Sequence, residues 1–186
     1  MINIYDFDDT IFAGDSTARF CRFVLMRKPG LFLKLPAVAW AFARYAMKLS
    51  TKTEAKQTIY RSLLPGLDLD AALDQFWQEN MPRVKGWYLN QKQPTDIVIS
   101  ASPKFLLEIP CKALGIAQLI ASPVDPHTGK TLGENCHGEE KVLRYRNECP
   151  KGDFAFYSDS LSDLPMARLA KKAYWVRGDS VTEWKI

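Results

Sequence analysis

The chain has few cysteines, and none of them are spaced as in a disulfide- or zinc-stabilised protein. Scattered cysteines without a CxxC pair indicate neither a disulfide framework nor a zinc site. We therefore expect reduced thiols and a cytoplasmic location. The sequence of 186 residues has four such cysteines: Cys21, Cys111, Cys136 and Cys149.

Long apolar runs and targeting signals are also lacking. No stretch of about 18 uncharged apolar residues is present, so we expect no membrane-spanning helix. No basic region precedes an apolar one at the N-terminus, which argues against a secretory signal. No nucleic-acid-reading motif is recognisable, so nucleic acid is not expected as a partner. The composition, 47% hydrophobic and 25% charged, is that of a globular protein.

The modest net charge of +4 is unevenly distributed. Residues 13–49 carry +6, with Asp15 as their acid, which leaves −2 for the rest of the chain. Charge concentrated in this way favours an anionic partner for that segment. The bases in it are Arg19, Arg22, Arg27, Lys28, Lys34, Arg44 and Lys48.

Short apolar runs alternate with helical patterns along much of the chain. The runs lack polar alternation, which is typical of parallel strands covered on both faces. The alternation predicts an α/β fold with a doubly wound parallel sheet. The predicted strands are 2–6, 95–102, 117–122, 153–159 and 173–176. The predicted helices are 103–114, 139–148 and 164–172, and 124–138 has the turn residues of a hairpin.

A long helical segment separates the first two predicted strands. Residues 13–90 are too many for a simple crossover, so we interpret them as an inserted helical cap. The catalytic core would then consist of residues 1–12 and 91–186. Within the core, Ser102 is a plausible N-cap for helix 103–114, with Pro103 at its first position.

Carboxylates collect at two predicted strand ends. Asp6 and Asp8 follow the first strand, and side chains two apart on an extended chain share a face. Asp159 ends the fourth strand and is followed by Asp163. Carboxyl ends of strands in open α/β sheets meet at the ligand-binding edge. Repelling carboxylates are tolerated there if they share a divalent cation, and Mg²⁺ accepts such ligands.

Two further residues favour an anionic ligand at the same edge. Ser100 ends the second strand, ahead of a helix whose free N–H groups attract anions. Lys141 lies in the first turn of a predicted helix, where the helix dipole disfavours a cation unless an anion is close. An exposed surface lysine is the simpler explanation for Lys141.

Taken together, these motifs resemble the haloacid dehalogenase superfamily. The chain carries that family's four motifs in order: Asp6-Phe7-Asp8-Asp9-Thr10, Ser100, Lys141, and Asp159 with Asp163. The inserted helices and the turn-rich segment before "GEEK" are similar to the phosphoserine phosphatase branch, subfamily IB. Ser158 stands where that branch usually has glycine.

The resemblance implies roles for these residues in a Mg²⁺-dependent phosphatase. Asp6 would be the nucleophile that forms an aspartyl-phosphate, and Asp8 the general acid and base. Ser100, its neighbour Ala101 and Lys141 would bind the phosphate. The metal would be held by Asp6, Asp8, Asp159 and Asp163.

The substrate is less clearly indicated. Phosphoserine enzymes place a glutamate soon after the first motif, where this chain has Asp15, so phosphoserine is not favoured. Residues 30–49 read as one helix with a basic arc of Lys34, Arg44 and Lys48. Such a helix is either a cap helix with one wet stripe or an amphipathic helix on an anionic membrane.

Several functions therefore stay open at this point. A phosphatase for a small phosphorylated metabolite competes with one for a lipid phosphate, for which phosphatidylglycerophosphate phosphatases of the superfamily offer a similar basic, apolar cap. A phosphotransferase to an alcohol and a non-catalytic membrane-surface binding module are the alternatives.

Overall fold

A single sheet organises the protein. The computed structural model describes residues 1–149 and 151–186. The sheet order in these residues is β3-β2-β1-β4-β5-β6, and pairing is parallel except between β5 and β6. The strands are β1 Ile2–Tyr5, β2 Ile97–Pro103, β3 Gln118–Ser122, β4 Phe154–Ser158, β5 Lys172–Arg177 and β6 Ser180–Glu183. The predicted doubly wound α/β fold is confirmed.

Helices fill the connections between the parallel strands. Five lie between β1 and β2: α1 Ser16–Arg27, α2 Leu35–Ala46, α3 Lys52–Leu63, α4 Leu69–Asn80 and α5 Gly86–Gln91. The later crossovers contain α6 Lys104–Leu114, α7 Glu139–Glu148 and α8 Leu164–Leu169. None of these helices is both long and apolar enough to cross a bilayer, among the residues that the structure describes.

Both faces of the sheet are buried, which explains the apolar strands. Ile4 and Tyr5 are adjacent in β1, yet they belong to different core clusters. Successive side chains of a strand point to opposite faces, so each face needs its own apolar cover. On the Tyr5 side, Trp77 of α4 packs against Phe7 and donates its indole N–H to the Leu106 carbonyl at 2.7 Å.

The helix predicted over residues 30–49 is wrong as a single element. A 3₁₀ turn, Pro29–Lys34, precedes α2, and the helix ends at Ala46 before Lys48, whose φ is 59°. Pro36 lies in the first turn of α2, where its missing N–H costs no helical hydrogen bond. None of the residues of α2 is buried, so a helix buried apart from one wet stripe is also wrong.

Smaller differences concern the later elements. The predicted helix 164–172 ends at Leu169, because Lys172 already pairs with β4. Strand β6 was not predicted, since its residues are mostly polar; the signal was the two-residue turn at Gly178, whose φ is 58°. The hairpin predicted over 124–138 is limited to one antiparallel bridge, between Val124 and Thr131.

The segment 123–138 also ties α3 to the sheet. Gln57 of α3 accepts hydrogen bonds from the main-chain N–H and the hydroxyl of Thr131, at 3.0 and 2.9 Å. Gly129 comes so close to α3 that a Cβ built on it would lie 2.3 Å from the Tyr60 carbonyl carbon. This contact places α3 above the carboxyl ends of β1 and β2.

Candidate active site

The first acidic motif lies directly after β1. The Asp6 N–H extends the strand pairing by donating to the Tyr157 carbonyl at 2.9 Å, and its buried carboxylate accepts from Lys141 at 2.8 Å. Asp8 accepts from the Ser16 N–H at 2.7 Å. Asp9, in a left-handed conformation with φ 52°, instead accepts from the main chain at Gly14.

Lys141 is the central cation of the site. Its ammonium group is almost fully buried and lies 2.8 Å from Asp6 Oδ1 and 2.7 Å from Asp163 Oδ2. Burial lowers the pKa of Lys141, but the two carboxylates more than offset this and hold it above its ordinary value. The simpler expectation of an exposed surface lysine is therefore wrong.

One acid of the second motif, Asp163, contacts the same lysine. Asp163 Oδ2 also accepts from the Ser158 hydroxyl at 2.8 Å, so the serine found in place of glycine positions this carboxylate. Asp159 accepts from the Thr10 hydroxyl at 3.2 Å and returns a main-chain N–H to it at 3.1 Å. Thr10 thus joins the end of β4 to the first motif.

The residues at the carboxyl end of β2 make contacts that the sequence did not indicate. Ser102 is not a helix cap, because Pro103 precedes α6 and the Ser102 hydroxyl instead donates a short hydrogen bond to Asp8. Ser100 is buried, and its hydroxyl accepts from the Ser102 N–H at 3.1 Å. The Ala101 carbonyl accepts from the Lys56 ammonium at 2.8 Å and from Ser122 at 2.9 Å.

Burial disfavours the charged form of both acids in the first motif. Desolvation raises the pKa of Asp6 from 3.8 to about 7, against the opposing effect of Lys141. Desolvation also raises the pKa of Asp8, although hydrogen bonds from Ser102 and Ser16 act in the other direction. A raised pKa favours the protonated form of Asp8, which can donate its proton to a leaving group.

The donor set fits a cation that takes few protein ligands. Asp163 Oδ1 is buried without a hydrogen-bond partner. Among the described residues, no three carboxylate, imidazole or thiolate side chains lie together closely enough to hold an ion alone. Mg²⁺ needs only one or two carboxylates, with water and phosphate oxygens completing its shell. Asp8 is turned toward Ser102, so its contribution would come from its main-chain carbonyl.

A cavity of about 840 Å³ opens onto these groups. Its polar end contains Asp6, Asp8, Ser100, Ala101, Lys141, Asp159 and Asp163. Its other end lies among helices α1 to α3 and is lined by apolar side chains, including Leu25, Leu31, Val38, Phe42 and Leu63. All the predicted site residues therefore face one cavity, although Asp159 is held by Thr10 rather than by a group of acids.

Sequence reasoning missed two lysines on the wall of this cavity. Lys52 and Lys56 of α3 line it, together with His137 from the segment before α7. The i, i+4 spacing of the two lysines was the available signal, because it places them on one helix face.

Several solved structures have a similar fold. The chain is similar to a Bordetella pertussis Tohama I protein of unknown function, with TM-score 0.78, 19% identity and coverage of 92% of this chain and 87% of that one. A phosphoserine phosphohydrolase-like protein from Francisella tularensis subsp. tularensis SCHU S4 gives TM-score 0.59, 14% identity and coverages of 93% and 86%. A phosphoserine phosphatase solved as a phospho-aspartyl intermediate analogue gives TM-score 0.53 and 16% identity, with coverage of 92% of this chain and 84% of that one.

These structural likenesses show the fold. A search of curated proteins found no match. The model of the haloacid dehalogenase-like hydrolases matches residues 4–168, which is most of the chain and includes all four motifs. The chain therefore belongs to the haloacid dehalogenase-like hydrolase family, and the expectation of a hydrolase of this superfamily is confirmed.

Proposed function

We propose that this hydrolase cleaves a phosphomonoester through an aspartyl-phosphate on Asp6. The observation that carries the proposal is the buried ion-paired group of Asp6, Lys141 and Asp163 at the polar end of the cavity. Asp6 would attack phosphorus, and the bond to the leaving oxygen would break as the new one forms. The aspartyl-phosphate intermediate analogue obtained with a phosphatase of the same fold supports this mechanism.

Asp8 would act as the general acid and then as the general base. Its raised pKa favours the protonated form needed to release the alcohol. Once it has lost that proton, Asp8 can accept one from the water that hydrolyses the intermediate. The hydrogen bonds from Ser102 and Ser16 hold the carboxyl group in place for both steps.

The phosphate oxygens would be bound by Ser100, the main chain at Ala101, and Lys141. Lys141 would move part of its interaction from Asp6 to the phosphate as negative charge arrives. Mg²⁺ held by Asp6, Asp159, Asp163 and the Asp8 carbonyl would offset the repulsion between the nucleophile and the phosphate.

The cavity favours a substrate with an apolar part, such as a lipid phosphate. Residues 13–90 would form the cap that surrounds this part, with residues 1–12 and 91–186 as the catalytic core. A small polar metabolite would make no use of the apolar side chains that line the cavity from α1 to α3, whereas an apolar chain would pack against them. Asp15 is already engaged as the N-cap of α1, at 2.8 Å from the Ala18 N–H, which argues against a role in binding the amino group of phosphoserine.

We also propose that α2 and its flanking residues contact an anionic membrane surface. Leu33 is 87% exposed and Trp40 63% exposed, and Tyr45, Met47 and Leu49 are exposed beside them. Large exposed apolar side chains next to bases are typical of peripheral membrane contacts. One side of α2 lines the cavity through Val38 and Phe42, so a lipid tail would have a short path to the site.

Two experiments test the proposal. Hydrolysis of p-nitrophenyl phosphate should require Mg²⁺ and be abolished in Asp6→Asn. Activity that survives in this variant would exclude Asp6 as the nucleophile. Added alcohols should leave phosphate release unchanged; phosphorylated alcohol as the main product would instead indicate a phosphotransferase.

Vesicle co-sedimentation tests the membrane contact. Binding to vesicles rich in phosphatidylglycerol should be lost in Leu33→Glu/Trp40→Glu. The matched control is Leu143→Glu on α7, which is also exposed and should bind like the wild type. Equal binding of all three proteins, or of none, would exclude a membrane surface at α2.

A further inference from the structure

Two lysines of α3 form a cationic wall that the proposed chemistry does not use. Lys52 and Lys56 are one helical turn apart, so their side chains lie on the same face of α3. Both line the cavity that holds Asp6 and Ser100. Like charges at this spacing destabilise a helix, so the arrangement is costly unless an anion lies between or beside them.

The two lysines differ in how they are held. The Lys56 ammonium donates to the Ala101 carbonyl at 2.8 Å and to Asn135 Oδ1 at 3.0 Å, which fixes it one residue from Ser100. Lys52 is half-buried at the start of α3, where the helix dipole also disfavours a cation. No hydrogen bond or ion pair involves the Lys52 ammonium within the described part of the chain.

A third group adds to the positive potential of this wall. His137 is half-buried, lines the same cavity and has no side-chain partner among the described residues. Burial, followed by the charge of Lys52, lowers the pKa of both Lys56 and His137. Four carboxylates face the wall, and each already has another hydrogen-bond partner: Asp6 with Lys141, Asp8 with Ser102, Asp15 with the Ala18 N–H, and Asp163 with Lys141.

We propose that Lys52 and Lys56, with His137 beside them, form a second anion subsite that selects phosphomonoesters carrying another anionic group. This inference rests on the proposed phosphatase function, because it concerns the same cavity. Lys141 binds the phosphate that is cleaved, and the α3 wall binds the anion that is kept. The kept anion is a phosphate or phosphodiester, from either a soluble metabolite or a lipid headgroup.

A pair of substrates that differ by one anion tests the subsite. Wild-type protein should prefer glycerol 1,3-bisphosphate to glycerol 3-phosphate in kcat/KM. In Lys52→Gln this preference should fall by about tenfold, mainly through KM, as expected for one lost charge contact. Lys52→Arg should restore it, and the control Lys112→Gln, on the exposed side of α6, should keep the wild-type ratio. An unchanged ratio in Lys52→Gln, or no preference in the wild type, would overturn the subsite.

The source of the ligand is tested with lipids in mixed micelles. Phosphatidylinositol 4-phosphate has a kept phosphodiester, whereas phosphatidic acid has none. If the Lys52-dependent preference is confined to the lipid pair, the kept anion belongs to a lipid headgroup. If it is confined to the glycerol pair, the kept anion belongs to a soluble metabolite. Either result supports the subsite.

A binding measurement separates this inference from the phosphatase proposal. Calorimetry with pyrophosphate and with inorganic phosphate needs no turnover. Pyrophosphate should bind more tightly, and this advantage should fall about tenfold in Lys52→Gln. If no substrate is hydrolysed but the advantage depends on Lys52, the phosphatase proposal fails and the subsite stands. If hydrolysis occurs and the advantage does not depend on Lys52, the subsite fails alone.

Discussion

Replacing the proposed nucleophile should make the metal-free protein more stable. Asp6 is buried, and desolvation raises its pKa from 3.8 to about 7. The folded protein therefore disfavours the ionised carboxylate of Asp6, which is the form that the nucleophilic attack requires. At about 1.4 kcal/mol per pH unit, this difference corresponds to at most about 4 kcal/mol at pH 8. Asn has nearly the same shape and no charge, and Lys141 keeps its contact with Asp163 at 2.7 Å. We expect Asp6→Asn to gain about 2–4 kcal/mol in the free energy of unfolding.

The sign of the pH dependence follows from proton binding. The folded wild type binds a proton on Asp6 that the unfolded chain has released, so its stability falls as pH rises between about 4 and 7. The advantage of Asp6→Asn should therefore grow over this range and level off above it. Urea unfolding in EDTA at pH 5, 6, 7 and 8 measures it directly.

Mg²⁺ should reduce this difference. A cation that binds the folded wild type stabilises it by about 2.7 kcal/mol at a hundredfold excess over Kd, and the variant should gain less. Asp153→Asn, which removes an exposed carboxylate paired with Lys171, serves as the control and should change stability by less than about 1 kcal/mol. If Asp6→Asn is less stable than the wild type at pH 8 in EDTA, our reading of this carboxylate is refuted.

Three other predictions follow from single contacts. Ser102→Ala removes a hydrogen bond that lowers the pKa of Asp8, so the alkaline limb of the pH profile of kcat/KM should move up by about one pH unit. Gly129→Ala forces a Cβ against the Tyr60 main chain at φ +69°, which should cost about 2–4 kcal/mol of unfolding free energy. Burial lowers the pKa of Lys56 from 10.5 to about 8. Between these pH values the unfolded chain binds a proton that the folded protein has released, so the stability of the wild type rises with pH. The free energy of unfolding of the wild type should therefore increase by about 3 kcal/mol relative to that of Lys56→Met as the pH is raised from about 8 to 10.5.

Each of these predictions has a matched control or a contradicting result. Gly66→Ala has a similar φ, +74°, with no atom within 4 Å of the added Cβ, so it should cost only about 1 kcal/mol. Equal losses at the two glycines would exclude a close approach of the 123–138 segment to α3. A pH profile of kcat/KM for Ser102→Ala that matches that of the wild type would contradict the prediction for Ser102. Curves of unfolding free energy against pH that run parallel for Lys56→Met and the wild type would contradict the prediction for Lys56.

Much of the sheet could be predicted because its causes are local. Buried parallel strands need continuous apolar runs, and those around Ile4 and Val98 stand out from their polar flanks. Asp6 follows β1 directly and Asp159 follows β4 directly, so the pairing of β1 with β4 brings the two aspartates to the same edge of the sheet. Strand β6 could not be predicted in this way, because an edge strand packs only on one side and tolerates polar residues.

The sequence by itself thus determined the parallel sheet and the identity of the residues at its carboxyl edge. Only the tertiary structure decided that Ser102 holds Asp8, that Lys52 and Lys56 face the cavity, and that the apolar side chains of α2 stay exposed. The physical reason is range: a strand or helix forms from the pattern of its own residues. The partner of a hydroxyl or an ammonium is set by which distant segment packs beside it.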